Sequence, residues 1–504
     1  MNYLLGIDLG TTGLKACIFD INGNLAAREY ERNKYIPNRH GWAEQDPESW
    51  WVSCCNTIKR IISESEINPE DIEGVGVSGF HHCPVFLDEK GNTTRPTIVT
   101  HDRRLNESLK ELKQNGLLDE LIKRTQSMIT VGHFPTIYNY VRRNDYGSLR
   151  KTRWIILAKD YIRFKLTDRI GTEICDATGT HLIEMPDEKW SNHICRLLEM
   201  PMEKLPGIGN PNEVFGEVTR EAANSTGLKT GTPVVYGGGD SHCALLGMGV
   251  ISSGQVGLLL GTNGTLRACF EGFVRHPDYR VWVQRHVIPG MYTVSASTMA
   301  GSSVLEWFRS VFCEDGETYA ELEKMAGDIS HGSEGLIFHP YIYGERSPFY
   351  NPGARGSFLG IKDYHSKGHF VRSVLEGISF CIANCFELVK ETALAREENI
   401  KDVRLSGGGS VISLWRQIMA DVLQIPINIT DVEEPGCFGA AILAGIGVGI
   451  YKDSETAIRK VVKVKDVIYP ESEVSRIYQE IMKKFNKLYD LLEPILYCKE
   501  EDAT

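Results

Sequence analysis

Leu9-Gly-Thr-Thr-Gly13, followed by Leu-Lys-Ala-Cys-Ile-Phe19, returns in the second half of the chain as Leu260-Gly-Thr-Asn-Gly264, followed by Thr-Leu-Arg-Ala-Cys-Phe270. A second piece recurs in the same order, because Val75-Gly-Val-Ser-Gly79 is echoed by Val403-Arg-Leu-Ser-Gly407, each a short apolar strand running into Ser-Gly. A handful of shared residues arises easily by chance, but two pieces in one order point to a duplicated unit. Around the first copy, Tyr3 to Asp8, Lys15 to Asp20 and Leu25 to Tyr30 are short runs separated by Gly10-Thr-Thr-Gly13 and Asn22-Gly23. That punctuation predicts a β-meander with tight turns. Trp50, Trp51, Cys54, Ile58, Ile61 and Ile62 recur at helical spacing and predict a helix from Pro47 to about Ser65, with a strand from Gly74 to Val77 after it. Each half is therefore expected to be a meander plus βα units. The boundary falls near Pro233 to Val250, where no low-complexity linker intervenes, so a tight hinge is expected.

A chain of 504 residues exceeds one ordinary core and favours two or more large domains. With 42% hydrophobic and 24% charged residues it has the balance of a globular protein rather than a disordered one. The net charge of -11 argues against nucleic acid as a partner, since phosphate-backbone binding needs clustered Lys and Arg. The longest uncharged stretch, Ser241 to Leu266, is broken by His242, Gln255, Asn263 and several glycines. It reads as a helix, a turn and a buried strand, not as a membrane span. The start, MNYLLGIDLGTTG, has no basic n-region or apolar leader core, and the 13 cysteines form no C-x-x-C or Cys/His zinc pattern. The expectation is a cytoplasmic protein with reduced, buried thiols.

The strand ending in Asp8 presents a carboxylate followed by a turn whose amides, with the hydroxyls of Thr11 and Thr12, can meet phosphate oxygens. A β-turn merely stabilised by an Asp is the competing explanation. In the second copy Leu259 replaces Asp8 while Gly261-Thr262 is kept, which suits two turns addressing one polyphosphate with only one handling Mg²⁺. Val234-Val-Tyr-Gly-Gly-Gly239-Asp240 reads as a strand, a Gly run and a helix beginning at or just after Asp240. Asp240 is then either a helix N-cap or the carboxylate that accepts a hydroxyl proton during phosphoryl transfer. Ser406-Gly-Gly-Gly-Ser410 joins a strand to a helical stretch from Val411 to Leu423, where Gly408 and Gly409 could admit a nucleotide or a close helix contact. Glu434-Pro-Gly-Cys-Phe-Gly is read as close helix packing. His81 and His82 diverge if they lie on an extended segment, and no third metal ligand is evident from the sequence. These two and Asp102 are candidates to bind sugar hydroxyls, with core or turn roles as the alternative.

Taken together, these motifs resemble the FGGY family of carbohydrate kinases over nearly the whole chain. Gly356-Ser-Phe-Leu-Gly-Ile361 followed by His369-Phe-Val-Arg-Ser-Val-Leu-Glu376 is similar to the family's second signature. Arg346-Ser-Pro348 and Glu433-Glu-Pro-Gly-Cys-Phe-Gly-Ala-Ala441 look like family elements too. The resemblance implies an α/β fold of two ribonuclease H-like (actin/hexokinase-type) domains with an intervening cleft. Residues 1–243 would carry the sugar and the catalytic base, and residues 244–504 the nucleotide. It implies ATP and Mg²⁺, with Asp8 at the metal and phosphate end and Asp240 as catalytic base. Thr262 would approach the phosphates, and Gly408 and Gly409 the nucleotide.

Within the family the xylulokinase branch is nearest, its Ser-Gly-Gln-Met-His-Gly segment reading here Ser78-Gly-Phe-His-His-Cys83. His82 matches, while Phe80 and His81 replace Gln and Met. The first signature, which usually shows Lys and Trp, reads His133-Phe-Pro-Thr-Ile-Tyr-Asn-Tyr-Val141, and Asp102-Arg-Arg104 resembles the segment of L-xylulose kinases. The expected reaction is γ-phosphoryl transfer to an open-chain ketopentose such as xylulose. Another sugar or polyol (L-xylulose, ribulose, gluconate, erythritol or glycerol) is the alternative, ahead of an actin- or chaperone-like ATPase. No helix-turn-helix segment suggests a sugar sensor. The residues leave dimerisation open.

Overall fold

The meander forms where the turn residues place it: β1 (Tyr3–Leu9), β2 (Gly13–Asp20) and β3 (Leu25–Arg32) run antiparallel in succession. This computed structural model describes residues 2–36, 41–314 and 316–496. Helix α1 (Pro47–Ser65) matches the expected span, starting where Asp46 accepts from the Glu48 amide, with Pro47 at its first position. It buries Trp50, Cys54 and Ile58 and leads to β4 (Ile72–Gly79), parallel to β1. Helices α2 (Ala158–Thr167) and α3 (Ile174–Gly179) follow, then β5 (Val214–Glu217), β6 (Pro233–Val235) and the short β7 (Gly238–Gly239). The sheet order is β5-β6-β4-β1-β2-β3, with β7 also beside β4.

Helix α4 (Asp240–Gly247) crosses to the second lobe. There β8 (Gln255–Leu260), β9 (Gly264–Glu271), β10 (Trp282–Arg285) and β11 (Met291–Thr298) are followed by the long buried helix α5 (Lys367–Leu394). Next come β12 (Asp402–Ser406), α6 (Ser413–Leu423), β13 (Ile427–Thr430), α7 (Pro435–Gly447) and β14 (Val464–Ile468). The second sheet runs β10-β11-β9-β8-β12-β13-β14. Apart from the extra edge strand β10, the two sheets share one plan. Three antiparallel strands are joined by a parallel strand, then another parallel strand, then an antiparallel edge. Register agrees as well, since Asp8 lies opposite Ser78 and Leu259 opposite Ser406. The duplication read from two short motifs is thus a duplication of topology.

Each lobe has its own apolar core, one around Trp50, Phe86 and Tyr161, the other around Trp415, Phe338 and Phe485. A third cluster lies at the seam, where α7 sits against α4, β1 and β4. Glycines set that distance. A Cβ on Gly6 would come 1.9 Å from the Cys437 carbonyl oxygen, and one on Gly439 would come 1.8 Å from that of Cys243. Backbone cannot yield to such contacts, so the Glu434-Pro-Gly-Cys-Phe-Gly stretch is close helix packing, as its small residues suggested. The twelve described free cysteines are buried except Cys313, which is half-buried. Among the described residues no helix is long and apolar enough to cross a membrane.

Candidate active site

Asp8 is the penultimate residue of β1 and is hydrogen-bonded by the Ser78 hydroxyl at 2.8 Å across the parallel register. The start of α7 presses on it from the other lobe, so that a Cβ on Gly436 would stand 2.7 Å from Asp8 Oδ2. Burial, and next the charge of Asp240, push the Asp8 carboxyl up to about 6. The nearby ammonium of Lys15 is 2.8 Å from Glu434 and is shared with it. Two carboxylates therefore sit near one another with little compensating positive charge.

The Gly-Thr turns are braced through their backbones. Gln45 Nε2 and Asn33 Nδ2 donate to the carbonyls of Thr11 and Gly10 at 2.9 and 2.8 Å. In the second copy, the Ser302 amide donates to the Gly261 carbonyl and the Ser303 hydroxyl to that of Thr262, at 2.8 and 2.6 Å. Thr12 and Thr262 are exposed in the two turns, and Thr11 is half-buried. A Cβ on Gly261 or on Gly408 would meet nothing within 4 Å. Gly409 differs, because its Cβ would collide with Leu260 and Trp415, and packing alone accounts for it. The loop at 406–410 also leaves its strand through a short 3₁₀ turn, Gly408–Val411, so α6 starts later than the expected Val411.

Asp240 is the first residue of α4, not its cap; Gly239 takes the cap position. Its carboxylate accepts from the Ser241 amide at 2.5 Å, and its side chain remains 38% exposed. His81 lies behind it, with Nε2 3.5 Å from Asp240 Oδ1 and Nδ1 2.6 Å from Asp176 Oδ1. Asp176 belongs to a buried charge network in which the Lys159 ammonium meets Asp160 at 2.7 Å, Asp176 at 3.2 Å and Glu173 at 3.3 Å. Burial alone would raise Asp176, but the charges of Lys159 and His81 hold its carboxyl below the usual range. Such a network is costly to break once formed. Sequence reading missed Lys159, Glu173 and Asp176; the signal available was a Lys-Asp pair set directly after the apolar run Trp154–Leu157.

His82 adopts a left-handed φ of 73°, a strained choice for a side-chain-bearing residue, and donates from Nδ1 to the Gly179 carbonyl at 2.8 Å. His81 and His82 lie on a bend rather than on an extended segment, and their rings stand 5.5 Å apart at 38°. The expectation that no third metal ligand joins the pair is corrected for His82 alone: its nitrogens and those of His133 and His181 lie within 4.8 Å of one another, a group that could hold a metal ion. The rings stack, His133 lying 4.3 Å from His82 and 4.9 Å from His181, at interplanar angles of 18° and 16°. His133 Nδ1 and His181 Nε2 lie 2.9 Å apart, so one ring donates a hydrogen bond to the other. Burial drives all three toward the neutral form, His181 down to about 3. Phe80 is buried edge-on against Trp50 at 5.5 Å and points away from this stack. Asp102 is fully buried and committed to Arg104, at 2.6 and 2.9 Å, and to the Ala43 amide at 2.6 Å.

Two duplicated lobes, with paired Gly-Thr turns and two carboxylates at their seam, define a phosphotransferase of the actin/hexokinase type. Sequence models of the N-terminal and C-terminal domains of the FGGY family of carbohydrate kinases match residues 3–247 and 250–448. The chain belongs to that family, and is a sugar kinase for which ATP is the expected phosphoryl donor. It is 30% identical to the xylulose kinase of Lactococcus lactis over 491 residues, 97% of each chain. Among solved structures it is similar to the ligand-bound xylulose kinase of Lactobacillus acidophilus, with TM-score 0.92 at 23% identity, covering 98% of this chain and 99% of the other. The gluconate kinase of the same organism gives TM-score 0.90 at 23% identity with the same coverage, which establishes the fold rather than the acceptor.

Proposed function

We propose that this kinase phosphorylates an open-chain ketopentose such as xylulose, with Asp240 as the base. The supporting observation is the placement of Asp240: half-exposed, at the seam, and close enough to Asp8 to push that carboxyl upward. As the sugar oxygen bonds to the γ-phosphorus and the bond to ADP breaks, the Asp240 carboxylate takes the hydroxyl proton. Residues 1–243 hold sugar and base, and residues 244–504 hold nucleotide. Gly261 and Gly408, whose open Cβ positions the fold does not require to be empty, leave room for phosphate and nucleotide beside Thr11, Thr12 and Thr262. Gly409 contributes by packing the loop. Asp8 is the residue that would hold Mg²⁺, since a half-buried carboxylate beside a second one and short of positive charge suits a hard divalent cation. When bound, the ion would offset phosphate charge.

His82 and the neutral ring stack form the sugar wall, and Asp102 positions that side by anchoring Arg104. A gluconate, polyol or other ketose acceptor is the second reading, supported by Phe80 and His81 standing where the xylulokinase pattern has Gln and Met. An ATP donor and free thiols support a cytoplasmic location. The test is ADP release across D- and L-ketopentoses, pentitols, erythritol, glycerol and gluconate. A ketopentose should give the highest kcat/KM; a clear lead for gluconate or glycerol would replace the first reading with the second. Asp240→Asn should retain nucleotide binding and lose roughly 10³-fold in kcat. Near-normal turnover would remove Asp240 as base.

A further inference from the structure

We propose that His81 is a positioning residue that receives the proton from Asp240, so that Asp176, His81 and Asp240 form a relay leading from the reacting hydroxyl into the N-terminal lobe. The inference rests on Asp240 being the base. Hydrogen-bond logic fixes the resting state of the ring. Arg267, which can only donate, lies 3.0 Å from His242 Nε2, so that nitrogen accepts. Neutral His242 then carries its proton on Nδ1, 3.3 Å from His81 Nε2, and donates there. Ser241 Oγ also lies 3.1 Å from His81 Nε2. His81 Nε2 is thus an acceptor, its proton sits on Nδ1, and that proton is donated to Asp176 at 2.6 Å.

In this state the unprotonated Nε2 stands 3.5 Å from Asp240 Oδ1. Once Asp240 has taken the hydroxyl proton, the Asp240 O–H bond breaks as the His81 Nε2–H bond forms. The result is a carboxylate and an imidazolium held by Asp176, and opening of the cleft returns the proton to water. Burial opposes charging the ring, but the carboxylate and hydrogen bond of Asp176 outweigh it and raise its pKa above the usual histidine value. Asp176 and, through it, Lys159 face the ring from α3 and α2; Asp240 and His242 face it from α4, Arg267 from β9, and His82 adjoins it in the chain. The position is occupied by Met in the xylulokinase pattern, so the base can work without this histidine, and the relay is a property of this chain.

The test compares wild type, His81→Met and Asp240→Asn in ADP release at saturating sugar and ATP across pH. Below its pKa, His81 is already an imidazolium and cannot take a proton, so wild-type kcat should fall on the acid side with the imidazole. In His81→Met, kcat should drop about tenfold at pH values above the His81 pKa, where the wild-type ring is neutral, with both KM values within about twofold. The acid limb should also move down toward the carboxylate range. An unchanged kcat and limb in His81→Met, with Asp240→Asn still inactive, overturns the relay and leaves the base assignment standing. If neither variant loses activity, the base assignment falls with it. Should His81→Met fail to fold, nitrogen NMR of ¹⁵N-histidine-labelled wild type decides. A bare Nε2 supports the relay, and an Nε2-protonated neutral ring overturns it.

Discussion

The two Gly-Thr turns are built on one frame and differ in charge. Asp8 and Leu259 each lie one residue before the end of the central strand of a sheet, each opposite a serine of the next parallel strand, Ser78 in one lobe and Ser406 in the other. In the first lobe the serine hydroxyl bonds the carboxylate; in the second the aligned residue is aliphatic. Both turns are braced through backbone carbonyls, one by Asn33 and Gln45 and the other by Ser302 and Ser303. Duplication therefore supplied two copies of a backbone cradle. The side chain at one register position gives the two turns different charge, and the acidic copy carries an electrostatic cost that a proton or a bound cation would relieve.

The largest expected effect breaks that asymmetry on the acidic side. Asp8→Asn keeps the shape and one hydrogen-bond acceptor for Ser78 but removes the charge. It should reduce kcat by about 10²–10³-fold at saturating ATP, the scale of losing one electrostatic group at a reacting phosphate. The matching change in the neutral copy, Leu259→Ala, should cost no more than about threefold in kcat. Steady-state kinetics of the two variants side by side is the measurement. Comparable losses would mean that the turns share the metal role.

The same substitution should act on stability in the opposite direction. A carboxyl whose folded pKa is about 6, against 3.8 in the open, binds its proton more tightly in the folded chain. Its contribution is fully present below pH 4 and is lost as pH rises through 6. Above that, ionised Asp8 destabilises the ligand-free protein, so Asp8→Asn should be more stable at pH 8 by roughly 3 kcal/mol, with the gain vanishing near pH 4. Denaturant titrations at the two pH values test this; a variant less stable at pH 8 would show that Asp8 is held chiefly as a structural turn residue.

The frame itself was legible because it rests on local chemistry. Asn22-Gly23 and Gly10 to Gly13 fix the meander, the Trp50 to Ile62 spacing fixes α1, and repetition of Ser-Gly after an apolar strand marks the parallel partner. Asp8 and Asp240 could be singled out as candidates because glycine-rich turns advertise them. Lys159 was marked only by its pairing with Asp160 after an apolar run, and Asp176, His133 and His181 by nothing local, since these groups meet through tertiary packing of segments up to about a hundred residues apart. Asp102 shows the converse: a conspicuous acidic residue beside two arginines is spent on one of them.

Glycine sharpens the comparison last and most finely. A glycine is demanded by the fold where its φ is positive or where a Cβ would strike a neighbour, as at Gly407, with φ of 102°, and at Gly409. At Gly261 and Gly408 neither holds, since a Cβ on either would point into open space. Alanine there should leave the thermal midpoint within about 2 °C, the scale of a surface change. If those openings admit phosphate and nucleotide, the added methyl groups must instead appear in binding, raising the KM for ATP about three- to tenfold while the sugar KM holds. One kinetic series with ATP and sugar varied in turn separates the outcomes. An unchanged ATP KM in both variants would remove these two positions from the nucleotide site and leave the acidic turn as the place where the nucleotide is held.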